Sequence, residues 1–230
     1  MKQVKDNIYL LESGKFANAY ALVRDNGVLI IDTGTPGKTE GIVAELAEIK
    51  AKHCDIKAII ITHAHPDHAG SCAGLASKSF AKIYVHKNDV DIVLGKAPPP
   101  APRDFVEKLS AFVTTHFMKY SPPAEAEPID AHSIITGFED IEIIETPGHT
   151  TGSISLLDKK SGTLFCGDAV NNRRNKLTGP LKYFTYDMDI AWDSVKKIAS
   201  LEFDVLCPGH GVPIRSHARE KIKELLDSGK

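Results

Sequence analysis

The chain has 230 residues, 42% hydrophobic and 25% charged, which is enough for one large domain or two small ones of ordinary globular composition. A formal net charge of −2 gives none of the basic footprint of a nucleic-acid binder, and no apolar run reaches membrane-span length. The polar N-terminus has no apolar signal core, and the four widely spaced cysteines, Cys54, Cys72, Cys166 and Cys207, read as reduced thiols of a cytoplasmic protein.

Residues 7–12, 16–24 and 27–31 read as three strands of a meander, with turns at Ser13-Gly14 and Asp25-Asn26-Gly27. The third strand runs into Asp32-Thr33-Gly34. Residues 38–52 carry Ile42, Val43, Leu46 and Ile49 at helical spacing. Residues 56–61 are a β-branched run that reads as a buried strand. That strand empties into Thr62-His63-Ala64-His65-Pro66-Asp67-His68-Ala69-Gly70, with three histidines and an aspartate inside six residues. Imidazole and carboxylate are ligands for zinc or iron and are costly to bury unpaired. The stretch therefore predicts a metal site at the edge of a core. A helix over 69–79, a strand over 81–86 and a short helix over 88–94 follow.

From residue 95 to 130 the composition shifts. Seven of the 13 prolines fall there, framing a segment in which Phe105, Leu109, Phe112, Val113, His116 and Phe117 share one helical face. This reads as a proline-framed helical insertion in a single domain spanning 1–230. Its helix either packs on the body of the domain or serves as a substrate lid or homodimer contact, with His116 the histidine to watch. Strands resume over 132–136, 141–146, 153–157 and 163–166. A helix over 187–200, a strand over 203–206 and a helix over 216–226 complete the chain.

Three strands in this second half end on a tight turn followed by a metal-competent side chain. They lead into Pro147-Gly148-His149, Gly167-Asp168 and Cys207-Pro208-Gly209-His210. Cys166 and Cys207 lie beside these candidates, as thiolate ligands or as small buried residues.

The set His63-x-His65-x-Asp67-His68, His149, Asp168 and His210, with Asp32 early in the chain, resembles the metallo-β-lactamase-fold superfamily, in particular its dinuclear hydrolase branch. The resemblance covers nearly the whole chain apart from the insertion. It implies an α/β (α+β) fold, a four-layer αββα sandwich with two divalent metal ions between the sheet edges. The ions would be zinc, with iron or manganese as alternatives. By the same resemblance His63, His65 and His149 hold one ion, Asp67, His68 and His210 hold the other, and Asp168 bridges them. The local reading agrees on several points. Residues i and i+2 of an extended segment project to one side, so His63 and His65 can share an ion. Pro66 biases His65 toward extended backbone and suits the first turn of a helix.

Such a site points to hydrolysis, because metal coordination lowers the pKa of water from about 15.7 toward about 7 and polarises a carbonyl. A metal-bridging hydroxide would then attack an acyl carbon with no serine or cysteine nucleophile. Asp67 would orient the water or pass its proton on, and Asp32 would either fix a ligand histidine or serve only to form the turn before Gly34. Asn171, Arg173 and Arg174 in the polar run after Asp168 read either as a solvated loop or as contacts to a substrate carboxylate or phosphate. Tyr183 and Tyr186 read as pocket lining or packing.

Within the superfamily, true β-lactamases lack an aspartate at the Asp168 position. Glyoxalase II members share the seven ligands but carry a C-terminal helical region, and only 20 residues follow His210. Lactonases share the ligand set and size. Some have a tyrosine soon after the bridging aspartate, where Ala169, Val170 and Asn171 stand in this chain. The expectation is a cytoplasmic dinuclear zinc hydrolase acting on a lactone, ester or thioester of a small molecule. The alternatives are a mononuclear iron enzyme like the persulfide dioxygenases, and a non-catalytic metal-binding module.

Overall fold

The computed structural model describes residues 1–14, 16–98 and 120–228. The expected Phe105–Phe117 helix face, with His116, lies outside the described residues. Strands β1 (Lys2–Lys5), β2 (Ile8–Leu11), β3 (Ala19–Arg24), β4 (Gly27–Ile31), β5 (Ile56–Ile61), β6 (Lys82–His86) and β7 (Glu127–Ile129) form one sheet in that order. Its first half is an antiparallel meander, and β4 to β7 run parallel. A second sheet has the order β13-β10-β9-β8, built from β8 (Ile141–Glu145), β9 (Ile154–Asp158), β10 (Thr163–Gly167) and β13 (Val205–Pro208).

Side-chain alternation along these strands builds three apolar layers. In β4, Leu29 and Ile31 face the second sheet, while Val28 and Ile30 face away from it. In β13, Val205 and Cys207 point inward and Leu206 outward. The middle core joins Leu22, Leu29, Ile60, Phe138, Ile143, Leu156 and Phe165 between the sheets. The outer face of the larger sheet is covered by α1 (Thr39–Glu48) through Ile42 and Leu46, by α3 (Cys72–Ser79) through Leu75, and by α4 (Val90–Val93) through Val93. The smaller sheet is covered by α5 (Met188–Ser200) through Val195 and Ile198, and by α6 (Ala218–Asp227) through Ile222. This is the αββα sandwich. Cys166 and Cys207 are both buried in these layers, and burial pushes their thiols up, so they stand as neutral packing residues.

The two sheets are joined at both ends. At one end the Arg24 guanidinium donates to both carboxylate oxygens of the buried Asp158 at 2.8 Å. At the other the Ile154 N–H donates to Thr62 O at 2.9 Å, and the Tyr20 hydroxyl donates to Pro208 O at 2.8 Å. The second end is where β5, β8, β10 and β13 finish, so their exit loops meet there.

The structure departs from expectation at several elements. Residues 132–136 are turn and irregular chain rather than a strand. The Asp130 carboxylate accepts from the His132 N–H and the Ser133 hydroxyl, curling the backbone, so that Ile135 and Phe138 both drop into the middle core. The polar run after Asp168 is a hairpin, β11 (Asn171–Arg173) and β12 (Lys176–Thr178), and not a loop. Arg174 and Asn175, both at positive φ, form its two-residue turn. Pro128, counted among the insertion prolines, sits in β7, an edge strand where a missing N–H is tolerated.

Candidate metal centre

The strand exits bring His63, His65, Asp67, His68, His149, Asp168 and His210 together at one sheet edge. Three groups have ligand atoms within 4.8 Å of one another: His63, His65 and His149; His63, His68 and Asp168; and Asp67, His68 and His210. His65 is extended at φ −79° and ψ 142°, as the following Pro66 requires. Pro66 opens the short helix α2 (Pro66–Ala69), which carries Asp67 and His68.

Hydrogen bonds behind the rings fix the histidine tautomers. Asp32, a carboxylate, can only accept from His68 Nδ1–H, at 2.8 Å. The Phe16 carbonyl can only accept from His210 Nδ1–H, at 2.7 Å. Thr185 spends its hydroxyl proton on Leu181 O, so its oxygen accepts from His149 Nδ1–H at 3.2 Å. Thr62 likewise gives its proton to Asp32 and accepts from His63 Nδ1–H at 3.1 Å. Each of these four imidazoles therefore turns Nε2 to the front, as a lone pair wherever the ring is neutral.

The front atoms crowd as a shared cation requires. His63 Nε2 and His149 Nε2 lie 3.1 and 3.0 Å from His65 Nδ1. Lone pairs this close repel unless protons or an ion stand between them. At a zinc–nitrogen distance of about 2.05 Å, tetrahedral ligands sit about 3.3 Å apart. Asp168 lies among the rest. Its Oδ1 is 3.3 Å from His68 Nε2, and its Oδ2 is 3.2 Å from His210 Nε2 and 3.5 Å from His149 Nε2. His68 Nε2 and Asp168 Oδ1 are buried and lack hydrogen-bond geometry to any described partner. A Cβ on Gly209 would fall 2.2 Å from that Oδ1, so only glycine leaves the carboxylate its place. The donor set and its unsatisfied atoms fit two divalent cations.

Charge follows the same geometry. Burial holds His63 well below the ordinary imidazole range, lowers His65, and pushes His149 down to about 3. All three are neutral donors at pH 7. Burial also pulls on His68, but Asp32, Asp168 and Asp67 outweigh it and hold that imidazole well above its usual value. For Asp168 burial acts upward, yet His68, His210 and His149 keep its carboxyl well below the carboxylate range.

Residues 13–210 match the family described as the Metallo-beta-lactamase superfamily. The chain belongs to this superfamily. The probable metallo-hydrolase YflN of Bacillus subtilis is 32% identical over 233 residues, covering 93% of this chain and 88% of that protein. A hydroxyacylglutathione hydrolase of Vibrio cholerae is 29% identical over 178 residues, covering 77% of this chain and 54% of that enzyme. Among solved structures, the metallo-beta-lactamase family protein TTHA1429 from Thermus thermophilus matches with TM-score 0.72 at 23% identity, over 99% of this chain and 80% of that one. TTHA1623 in a di-iron-bound form matches with TM-score 0.65 at 23% identity, over 86% and 88%. These two share the superfamily fold.

The remaining site candidates scatter around the superfamily cluster. Asn171 is fully buried at the base of the hairpin, its amide without a described partner. Its neighbour Asn172 donates its N–H to His210 O at 3.0 Å. Arg173 and Arg174 are exposed at the hairpin turn and make no bond to the cluster. Tyr183 and Tyr186 are half exposed and flank Thr185. Tyr186 N–H donates to His149 O at 3.0 Å, so their segment braces His149 by its backbone. Of the other described histidines, His53, His132 and His217 are exposed, and His86 is buried against Glu145 at 3.1 Å. Sequence reasoning missed Thr185 and the Phe16 carbonyl. Neither has a local signal, since each is recognisable only by what folds against it.

No helix among the described residues is long and apolar enough to cross a membrane.

Proposed function

We propose that this superfamily member is a dinuclear metal-dependent hydrolase, with zinc as its metal, that opens a lactone, ester or thioester bond of a small molecule. The observation that carries the reading is the convergence of His63 Nε2 and His149 Nε2 on His65 Nδ1, at 3.1 and 3.0 Å, beside a buried Asp168 that touches histidines of both groups. In this reading His63, His65 and His149 would hold one ion and Asp67, His68 and His210 the second, with Asp168 available to both. When bound, such a pair supplies water acidified toward a pKa of about 7 and a Lewis acid for the acyl oxygen.

The chain's own groups do the rest. The rear bonds from Asp32, Thr62, Thr185 and Phe16 O keep the imidazoles in one tautomer, so no reorganisation is needed during turnover. Asp67 is the acid of the cluster most open to solvent, with 24% of its side chain exposed, and it takes the proton released in the attack. The likeness to probable metallo-hydrolases and to a hydroxyacylglutathione hydrolase supports acyl transfer to water. Four free cysteines, three of them buried, accord with a cytoplasmic setting.

The test is a panel of lactones, thioesters, aryl esters and phosphotriesters on metal-replete protein, with elemental analysis and a chelated control. About two ions per chain are expected, with acyl hydrolysis lost on chelation and restored by metal. One iron per chain, or acyl turnover that survives in Asp168→Ala, would sink the dinuclear hydrolase.

A further inference from the structure

A second buried carboxylate stands beside the centre without touching any of its imidazoles. Asp89 precedes α4 and is 0% exposed. An aspartate at that position would ordinarily cap its own helix, yet its side chain makes no cap bond. Instead Oδ2 accepts from the Ala64 N–H at 2.8 Å and from the Thr150 hydroxyl at 2.7 Å. Oδ1 accepts from the Gly152 N–H at 2.9 Å.

Ala64 lies between His63 and His65, and Thr150 follows His149. One carboxylate thus joins the loop bearing two imidazoles of the first group to the turn bearing the third. A Cβ on Gly152 would fall 2.6 Å from Asp89 Oδ1, so the glycine admits the carboxylate. Among the described residues, His65 is the one imidazole of the cluster with no rear hydrogen bond, and the Ala64–Asp89 bond holds the backbone beside it. Asp32 plays the matching part at the other group, through Thr62 and His68.

We propose that Asp89 is a positioning residue that sets the convergence of His63, His65 and His149, and with it the affinity of that half of the centre for its ion. The proposal rests on the dinuclear reading given above. Asparagine at position 89 keeps the volume but sets an amide N–H₂ against either the Gly152 N–H or the Ala64 N–H and Thr150 hydroxyl, so at least one of the bonds that join the two segments is lost.

Metal-free protein is titrated with Zn2+ against a chromophoric chelator and with Co2+ by absorption. The variants are Asp89→Asn, Thr150→Val and Leu46→Ala. Leu46 is buried beneath α1 on the outer face of the larger sheet, so its variant reports plain loss of stability. Wild type is expected to take two ions. Asp89→Asn should weaken one of them by about 10–100-fold and shift its Co2+ spectrum, leaving the other unchanged. Thr150→Val should move the same ion in the same direction by less, and carries the test if Asp89→Asn does not fold. Leu46→Ala should bind both as wild type does. Unchanged affinities in Asp89→Asn, or an equal loss in Leu46→Ala, overturn the role of Asp89 and leave the centre standing. Wild-type protein that takes up fewer than two ions overturns the dinuclear centre and this role with it.

Discussion

Asp32→Asn is the perturbation that most directly tests how the centre is built. The native carboxylate is buried and accepts three bonds of 2.8 Å each, from Thr62 N–H, the Thr62 hydroxyl and His68 Nδ1–H. Its backbone sits at φ +57°, a left-handed conformation that asparagine also tolerates, so the substitution leaves the turn intact. The amide has one accepting oxygen. Whichever way it is placed, at least one buried donor faces an N–H₂ group. An unsatisfied buried donor costs about 1–3 kcal/mol, and bonds to a charged acceptor contribute about 1.5–3 kcal/mol each. A loss of about 2–4 kcal/mol in the metal-free protein follows. Removing a partner behind a ligand histidine should also weaken metal binding by about 10–100-fold. Asp32→Gly separates the two contributions, because glycine relieves the left-handed backbone while deleting all three bonds. It should bind metal no better than the asparagine variant. Urea unfolding with and without metal, together with chelator competition, measures both effects. Asp32→Asn that matches wild type within about 0.5 kcal/mol and keeps its metal affinity would refute the reasoning, since that is the ordinary range of a surface change.

Phe138→Ala should destabilise the protein by about 3–5 kcal/mol in urea unfolding while metal content stays at the wild-type value, because Phe138 is fully buried between the sheets and touches no member of the cluster. Metal-free protein should lose stability as pH falls below about 6.5, the unfolded histidine value. His149, held at about 3 by burial, remains neutral in the fold while the unfolded chain takes up a proton. That difference amounts to about 2 kcal/mol at pH 5, with His63 and His65 acting in the same direction. His68 has the opposite sign, but its stabilisation is fully present below the unfolded value of about 6.5 and changes little further as pH falls to 5. Equal stability of the chelated protein at pH 7 and pH 5 would contradict this.

Much of the architecture is legible in local patterns. The apolar run 56–61, the alternation in 27–31 and the helical spacing of Ile42 and Leu46 each reach the element expected of them. What failed has physical causes. Residues 132–136 carry strand-forming types, but a local Asp130 turn captures the backbone. β7 contains a proline and survives only because it is an edge strand. The hairpin after Asp168 is polar because its tip is solvated, so no hydrophobic alternation marks it.

By itself the sequence determined the donor types and their local geometry. An extended His63-x-His65, a proline that starts the next turn, and glycines beside Asp168 and His210 are set by nearest neighbours. Only the tertiary structure decided which atoms face one another. Phe16 and His210 are 194 positions apart, and Thr185 and His149 are 36 apart. Their bonds use a backbone carbonyl and a hydroxyl, groups that every stretch of chain carries in some number. Long-range partners of that kind leave no pattern in the sequence, because their placement follows from how two sheets pack and not from the residues on either side.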